Sequence, residues 1–160
     1  MRNLFILLML GATSPVLACN PALVERLDAP VRDDADTVLD VAEIQSVEGG
    51  EWKVWMGDDG TAEEIVRIDY GEMGRLETRM VLDGAAAYGV TQTRYHYAAP
   101  IYAEGAATVR IETDIYVFCD AALELPPEDF GLNEDYAAAA KSAVAAFDAA
   151  EIAAYLPPGL

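Results

Sequence analysis

Nucleophiles, nitrogen and sulfur metal ligands, and cations are all scarce in this chain. Its 160 residues include one histidine, His96, and two cysteines, Cys19 and Cys119. Beyond the first eighteen residues the serines are Ser46 and Ser142 alone, and neither sits in a nucleophile-elbow context. A Ser-His-acid triad therefore has little to draw on. Zinc would need more His and Cys than the chain holds. A Cys-His pair would have to use Cys119, which reads as a buried structural residue. No glycine-rich phosphate loop is present. Lys and Arg total 10 against 28 Asp and Glu, a net charge of −18. At that charge nucleic acid and anionic membrane surfaces are poor partners, and a cationic protein is a physically easier one. Solubility alone would also account for the acidity.

The carboxylates do not organise themselves into a site. Asp33-Asp34-Ala35-Asp36 and Gly57-Asp58-Asp59-Gly60 lack the alternating acids, central glycine and distal glutamate of an EF-hand loop, so both read as solvated turns. So many acids would offer accidental pairs in any fold, and a glycosidase dyad cannot be argued from their number. No metal or cofactor is expected, and the chain reads as non-enzymatic. The alternative is a carboxylate-based hydrolase using Tyr95 or His96.

Long apolar runs are also missing. The one that stands out, Leu4 to Leu10, follows Arg2 and precedes Val16-Leu17-Ala18, the charge order and small-residue end of a secretory signal peptide. It is too short to span a bilayer, and no later stretch approaches a membrane span. Residues 1–18 are therefore expected to be a signal peptide and 19–160 one exported domain, periplasmic or secreted.

Cys19 follows that cleavage site and supports two readings. Two cysteines in an oxidising compartment make an even count and suggest a Cys19–Cys119 disulfide. Closing a loop of about 100 residues is worth up to ~4.7 kcal/mol on a chain-entropy account. Against this, Val16-Leu17-Ala18-Cys19 resembles a bacterial lipobox, with leucine at position 17 where a smaller residue is usual. That resemblance implies acylation of Cys19, a membrane-anchored structural lipoprotein, and membrane contact through that lipid alone. Asn20-Pro21 resembles a helix start rather than a polar tether, which favours the disulfide.

The fold is expected to be α+β: an antiparallel meander of about five strands with N-terminal and C-terminal helices packed on one face. Residues 19–50 form a helical lead-in, with a short helix over Pro21 to Asp28 ended by Pro30. Asp33 to Ser46 has partly helical spacing, although Val41 to Val47 could begin a strand. The meander covers 51–119. Trp52, Val54 and Met56 alternate with Glu51, Lys53 and Trp55. Leu76, Thr78, Met80 and Leu82 point inward, and Arg75, Glu77 and Arg79 outward. Gly71 to Gly74 is a short hairpin loop, and Asp83-Gly84 predicts a type I′ turn. Tyr88 and Val90 share a phase with Arg94 and His96, which suggests a bulge near Gly89. In the last strand Val109, Ile111, Thr113, Ile115, Val117 and Cys119 form the inward set. Residues 126–156 supply a Pro126-Pro127 connector and an alanine-rich helix, capped by Asn133 and ending near Tyr155.

On this phasing an aromatic and basic set lies on the open sheet face: Trp55, Arg79, Arg110, Tyr116 and Phe118, joined by Tyr95 and Tyr97. Such a surface suits a protein partner or a sugar ring. Cross-strand structural pairing is the plainer role for the same residues. The stretch Trp52 to Ile101, with its Tyr70-Gly71-Glu72-Met73-Gly74 turn and Thr93-Arg94-Tyr95-His96-Tyr97 run, resembles uncharacterised bacterial envelope proteins. That resemblance covers about a third of the chain, implies an envelope location and a meander, and carries no activity.

Overall fold

The computed structural model describes residues 21–42, 47–124 and 134–160. The expected signal peptide, Cys19, both helix caps (Asn20 and Asn133) and the Pro126-Pro127 connector lie outside the described residues. The elements are α1 (Pro21–Asp28), β1 (Thr37–Asp40), β2 (Gly50–Met56), β3 (Ala62–Gly71), β4 (Gly74–Leu82), β5 (Ala87–Tyr97), β6 (Thr108–Cys119), β7 (Ala122–Leu123) and α2 (Glu134–Ala145). The strands form one 7-stranded antiparallel sheet in sequence order. The expected meander is present with seven strands rather than five. The additions are the short strands at its two ends. Asp33 to Ser46 is not a helix over its described part; Thr37–Asp40 pairs with β2 instead.

The helices lie on opposite faces, not on one. Met80 joins the cluster under α2, while its neighbour Val81 joins the cluster under α1, and adjacent residues of a strand point to opposite faces. The α2 face buries Trp52, Val54, Ile65, Met80, Val90, Tyr116 and Phe118 against Ala140, Ala143, Phe147 and Ile152. The α1 face buries Val81 under Leu23 and Leu27, and Trp55, Val66 and Ile68 under Val31 and Ala35 of the segment that follows α1. An apolar residue at nearly every position of Val54–Trp55, Ile65–Val66 and Met80–Val81–Leu82 is what a sheet covered on both sides requires.

Three local expectations are corrected. β5 pairs in unbroken register with β4 from Tyr88 to His96, so there is no bulge at Gly89. The shared phase of Tyr88, Val90, Arg94 and His96 is real: one face runs from under α2 into solvent. Gly89 is needed for close approach instead, because a Cβ there would lie 2.3 Å from Leu27 Cδ1. The Asp83-Gly84 hairpin is wider than a type I′ turn. Asp83 N–H donates to Ala87 O at 2.8 Å, and Gly84 has positive φ while Asp83 does not. Lastly, α2 stops at Ala145, and a run of i→i+3 turns through Phe147, Asp148, Ile152 and Tyr155 follows. Phe147 and Ile152 are both buried on the sheet. Five residues apart, they would sit about 140° apart on a continuing helix, so the helix has to break for both to pack. Tyr155 O then accepts from Ala62 N–H at 2.9 Å, tying this segment to β3.

Candidate functional site

The two helices cover only one end of the sheet. On the α1 face, four cross-strand rows follow from the registers: Glu64–Val81–Gly89–Val117, Val66–Arg79–Thr91–Ile115, Ile68–Glu77–Thr93–Thr113 and Tyr70–Arg75–Tyr95–Ile111. The first lies under α1. In the later rows the β4–β6 side opens into a groove of about 460 Å³. Leu27 to Val31 form its wall, Arg79, Thr91, Thr93 and Tyr95 its floor, and Ile111, Thr113 and Ile115 its far side. Glu77 and Asp28 place carboxylates along it. Val109, Ile111 and Ile115 are 66%, 58% and 43% exposed, an apolar row left in solvent on one strand. The Arg75 guanidinium lies 4.0 Å from the centre of the Tyr95 ring, a cation–π contact that fixes the floor. Beside it, Tyr70 donates its hydroxyl to Glu51 Oε1 at 2.8 Å, and burial together with that bond pushes the Tyr70 hydroxyl up to about 12.

Arg79 lines the floor of this groove, but its guanidinium is committed to the fold. Its Nε donates to Glu64 Oε1 at 2.9 Å, and both side chains are buried. Its Nη atoms donate to the carbonyls of Arg26 at 2.9 Å, Leu27 at 3.3 Å and Ala29 at 2.6 Å. These are the carbonyls at and just beyond the C-terminus of α1, which no longer have intrahelical donors. A buried guanidinium is well suited to them, being positive and forked. Glu64 supplies the compensating charge.

The other expected site residues do not converge. Trp55 is buried on the α1 face beneath Arg32, whose guanidinium lies 5.7 Å from the indole. Tyr116 and Phe118 are buried on the α2 face, where Phe118 stacks on Tyr88 and Tyr116 meets Tyr136. The split of β6 into an inward and an outward set therefore fails: at its open end both phases are exposed, Ile111 and Ile115 included, and at its covered end the aromatic pair of the outward set is core. The physical reason is that β6 borders the sheet and α1 does not reach over it beyond Val117. Tyr95 and Tyr97 are half-buried on the α1 face, and Arg110 is exposed on the other. Cys119 is half-buried on the α1 face, two residues from Val117. Val109, Ile111 and Ile115 were missed as surface because alternation assigns a shared face without saying whether anything covers it. The signal that could have found them is the aromatic pair at one end of the opposite phase, which marks the helix-covered end.

The open end of the α2 face is a charged ladder. His96 Nε2 lies 3.0 Å from Glu112 Oε2, Arg94 donates to Asp114 at 3.1 Å, and Arg110 bonds the other Glu112 oxygen. The bond to His96, then the Arg110 and Arg94 charges, holds the Glu112 carboxyl below its usual range. His96 and Tyr95 are neighbours on one strand and face opposite sides, so they cannot act together on one substrate. His96 lines none of the cavities described here. Two further hollows flank α2, one of about 670 Å³ closed by Pro157 to Leu160 and one of about 430 Å³ between Tyr88, Phe118 and Leu123.

One carboxylate of each acidic segment accepts hydrogen bonds within the fold. Asp36 accepts from Met56 N–H at 2.8 Å, and Asp59 from the Thr61 N–H and hydroxyl at 2.9 and 2.8 Å. Among the described residues no group of three or more His, Cys, Asp or Glu side chains is gathered as metal ligands. Among them, too, no helix is long and apolar enough to cross a membrane. Compared with protein-family models, curated proteins and solved structures, the chain matches none of them.

Proposed function

We propose that the chain is an exported, non-enzymatic binding protein, and that its binding surface is the open half of the α1 face. The observation that carries this reading is the exposed row Val109, Ile111 and Ile115 beside a groove holding Tyr95 and the Glu77 and Asp28 carboxylates. Exposed apolar surface next to a groove marks an interaction site more often than a solvated one. The acidity of the chain favours a partner segment that is apolar on one side and basic on the other.

A test uses two heptapeptides, one alternating lysine with isoleucine and one alternating glutamate with isoleucine. The lysine peptide should bind, lose affinity steeply with salt, and bind more weakly to Glu77→Gln and Ile111→Ser; the glutamate peptide should not bind. Binding of both peptides alike, or binding indifferent to both variants, would contradict the reading. Trp55→Ala and Arg79→Ala would be uninformative here, because both residues are core.

In this reading Cys19 and Cys119 are joined, which also keeps residue 19 from carrying lipid. Supporting this, α1 begins two residues after Cys19, its Leu23 packs with Val81 and Val117, and Cys119 is the next residue along the same face of β6. Intact mass of the exported protein decides it: a two-dalton gain on reduction supports the disulfide, and an added diacylglycerol with a fatty chain supports the lipoprotein.

A further inference from the structure

The edge of β6 carries a second, independent inference. Glu124 N–H donates to Val117 O at 2.7 Å, so the backbone groups of the odd-numbered residues of β6 point away from β5. β7 meets only Phe118 and Cys119, and the Tyr136 hydroxyl donates to Ile115 O at 3.0 Å. At the other end the register shifts between His96 and Tyr97, leaving Val109 as an extra residue. Among the described residues no strand therefore pairs with the outward edge of Thr108 to Asp114, whose midpoint is Ile111. Natural edge strands are usually blunted by charge, proline, a bulge or a covering element. This stretch has no lysine or proline; its bulge is confined to Val109, its charges alternate in sign at Arg110 and Glu112, and between them it presents Ile111.

We propose that two copies of the chain pair antiparallel along this edge, about a two-fold axis at Ile111, joining their sheets into one. The register follows from chemistry. Centred on Ile111, it places Arg110 of each copy opposite Glu112 of the other on one face, and Ile111 opposite its own mate on the other. Ile111 becomes a hydrogen-bonded pair, as its outward backbone groups require, and Arg110–Glu112 a close non-hydrogen-bonded pair. Centring on Glu112 would oppose two glutamates. A Thr113 centre would oppose Glu112 to Asp114 and need the Ile115 carbonyl that Tyr136 holds. An Arg110 centre would oppose two arginines. The Ile111 register is the one of the four in which every facing charge is opposite. It also continues the row Tyr70–Arg75–Tyr95–Ile111 into the two-fold-related row of the other copy, bringing two grooves onto one surface.

The test is sedimentation equilibrium of the purified full chain over a range of concentration at low and high salt. Two chains of net charge −18 repel, so added salt should strengthen the dimer, the opposite of its effect on a cationic partner. Arg110→Glu or Glu112→Arg alone should weaken it roughly tenfold, and the double exchange should restore it to within a few-fold, since two pairs are inverted per dimer. Ile111→Cys should cross-link between copies on oxidation, because hydrogen-bonded antiparallel pairs bring Cα atoms to about 5.5 Å, within disulfide range. Thr113→Cys should cross-link far more slowly. Circular dichroism and thermal unfolding establish that each variant is folded. A chain that stays monomeric at every concentration and salt, or a dimer indifferent to the charge exchange and to position 111, would overturn the proposal.

Discussion

β4, β5 and β6 are each core at one end and surface at the other, and the two ends obey different rules. At the end nearest the Asp83–Ala86 loop, Val81, Val90 and Phe118 are buried, and helices lie on both faces. At the other end the same strands carry Arg94, His96, Arg110 and Ile111 into solvent or half into it. Arginine shows the contrast most directly. Arg79 is enclosed, with every nitrogen of its guanidinium donating to Glu64 or to the end of α1. Arg110, on the outer strand of the same end-to-end pattern, is exposed and meets only Glu112 among the ion pairs of the described residues. What decides between the two roles is whether a helix covers the position, as α1 covers Arg79 and α2 does not cover Arg110, and not the residue type.

Breaking the covered end should cost most. Arg79→Ala leaves Glu64 buried without its partner and strips three carbonyls at the end of α1. It should destabilise the chain by about 3–5 kcal/mol, read by urea denaturation. Trp52 and Trp55, both fully buried, supply the fluorescence signal for that experiment. Gly89→Ala should cost less, about 1–3 kcal/mol, because the buried Leu27 side chain that holds α1 on the sheet must give way. Its signature is selective loss of protection in α1 amides.

At the open end the same size of change should leave the fold intact. Ile111→Ser and Ile115→Ser should alter stability by no more than about 0.5 kcal/mol, yet both should weaken peptide binding. A loss of 2 kcal/mol or more, as core truncations give, would place them in a core and sink the comparison.

The smallest effects are those of pH. The Glu112 carboxyl is held low, so the folded state favours its charged form. Its contribution is present above the usual carboxylate range and is lost as pH falls through the lowered value. Carboxyl NMR titration of His96→Gln should show Glu112 moving back up. Tyr70 acts in the opposite sense. Its hydroxyl is pushed up to about 12, so the fold favours the neutral form, and that contribution fades as pH rises from the usual tyrosine value through about 12. In ultraviolet titration, Tyr70→Phe should remove a late-ionising tyrosine.

Much of the meander was legible because turn residues and period-2 alternation are local. Pro21 with Pro30 bounded α1, and Gly57 to Gly60 and Gly71 to Gly74 marked real reversals. What was not legible depends on tertiary cover. Four residues, Thr37–Asp40, are too few to show a period against the partly helical spacing around them, and they are a strand because β2 has an edge to fill. Alanine-rich sequence continues past Ala145, but the separate demands of Phe147 and Ile152 end the helix. The candidate site suffered most from this. Trp55, Tyr116 and Phe118 looked like a binding set because aromatic residues suit surfaces and cores alike. The pair that looked like core, Ile111 and Ile115, is the one in solvent.

Native-state amide hydrogen exchange, at a concentration where the chain sediments as a monomer, tests the division of the sheet most directly. The amides of Val66, Val81 and Val90, within covered strands, should exchange only through global unfolding. The amides of Ile111 and Thr113, facing the open edge, should exchange orders of magnitude faster and slow as concentration rises. Protection of Ile111 and Thr113 in the monomer equal to that of Val90 would mean that this edge is covered within a single chain, and the account of an open, partner-seeking half would be wrong.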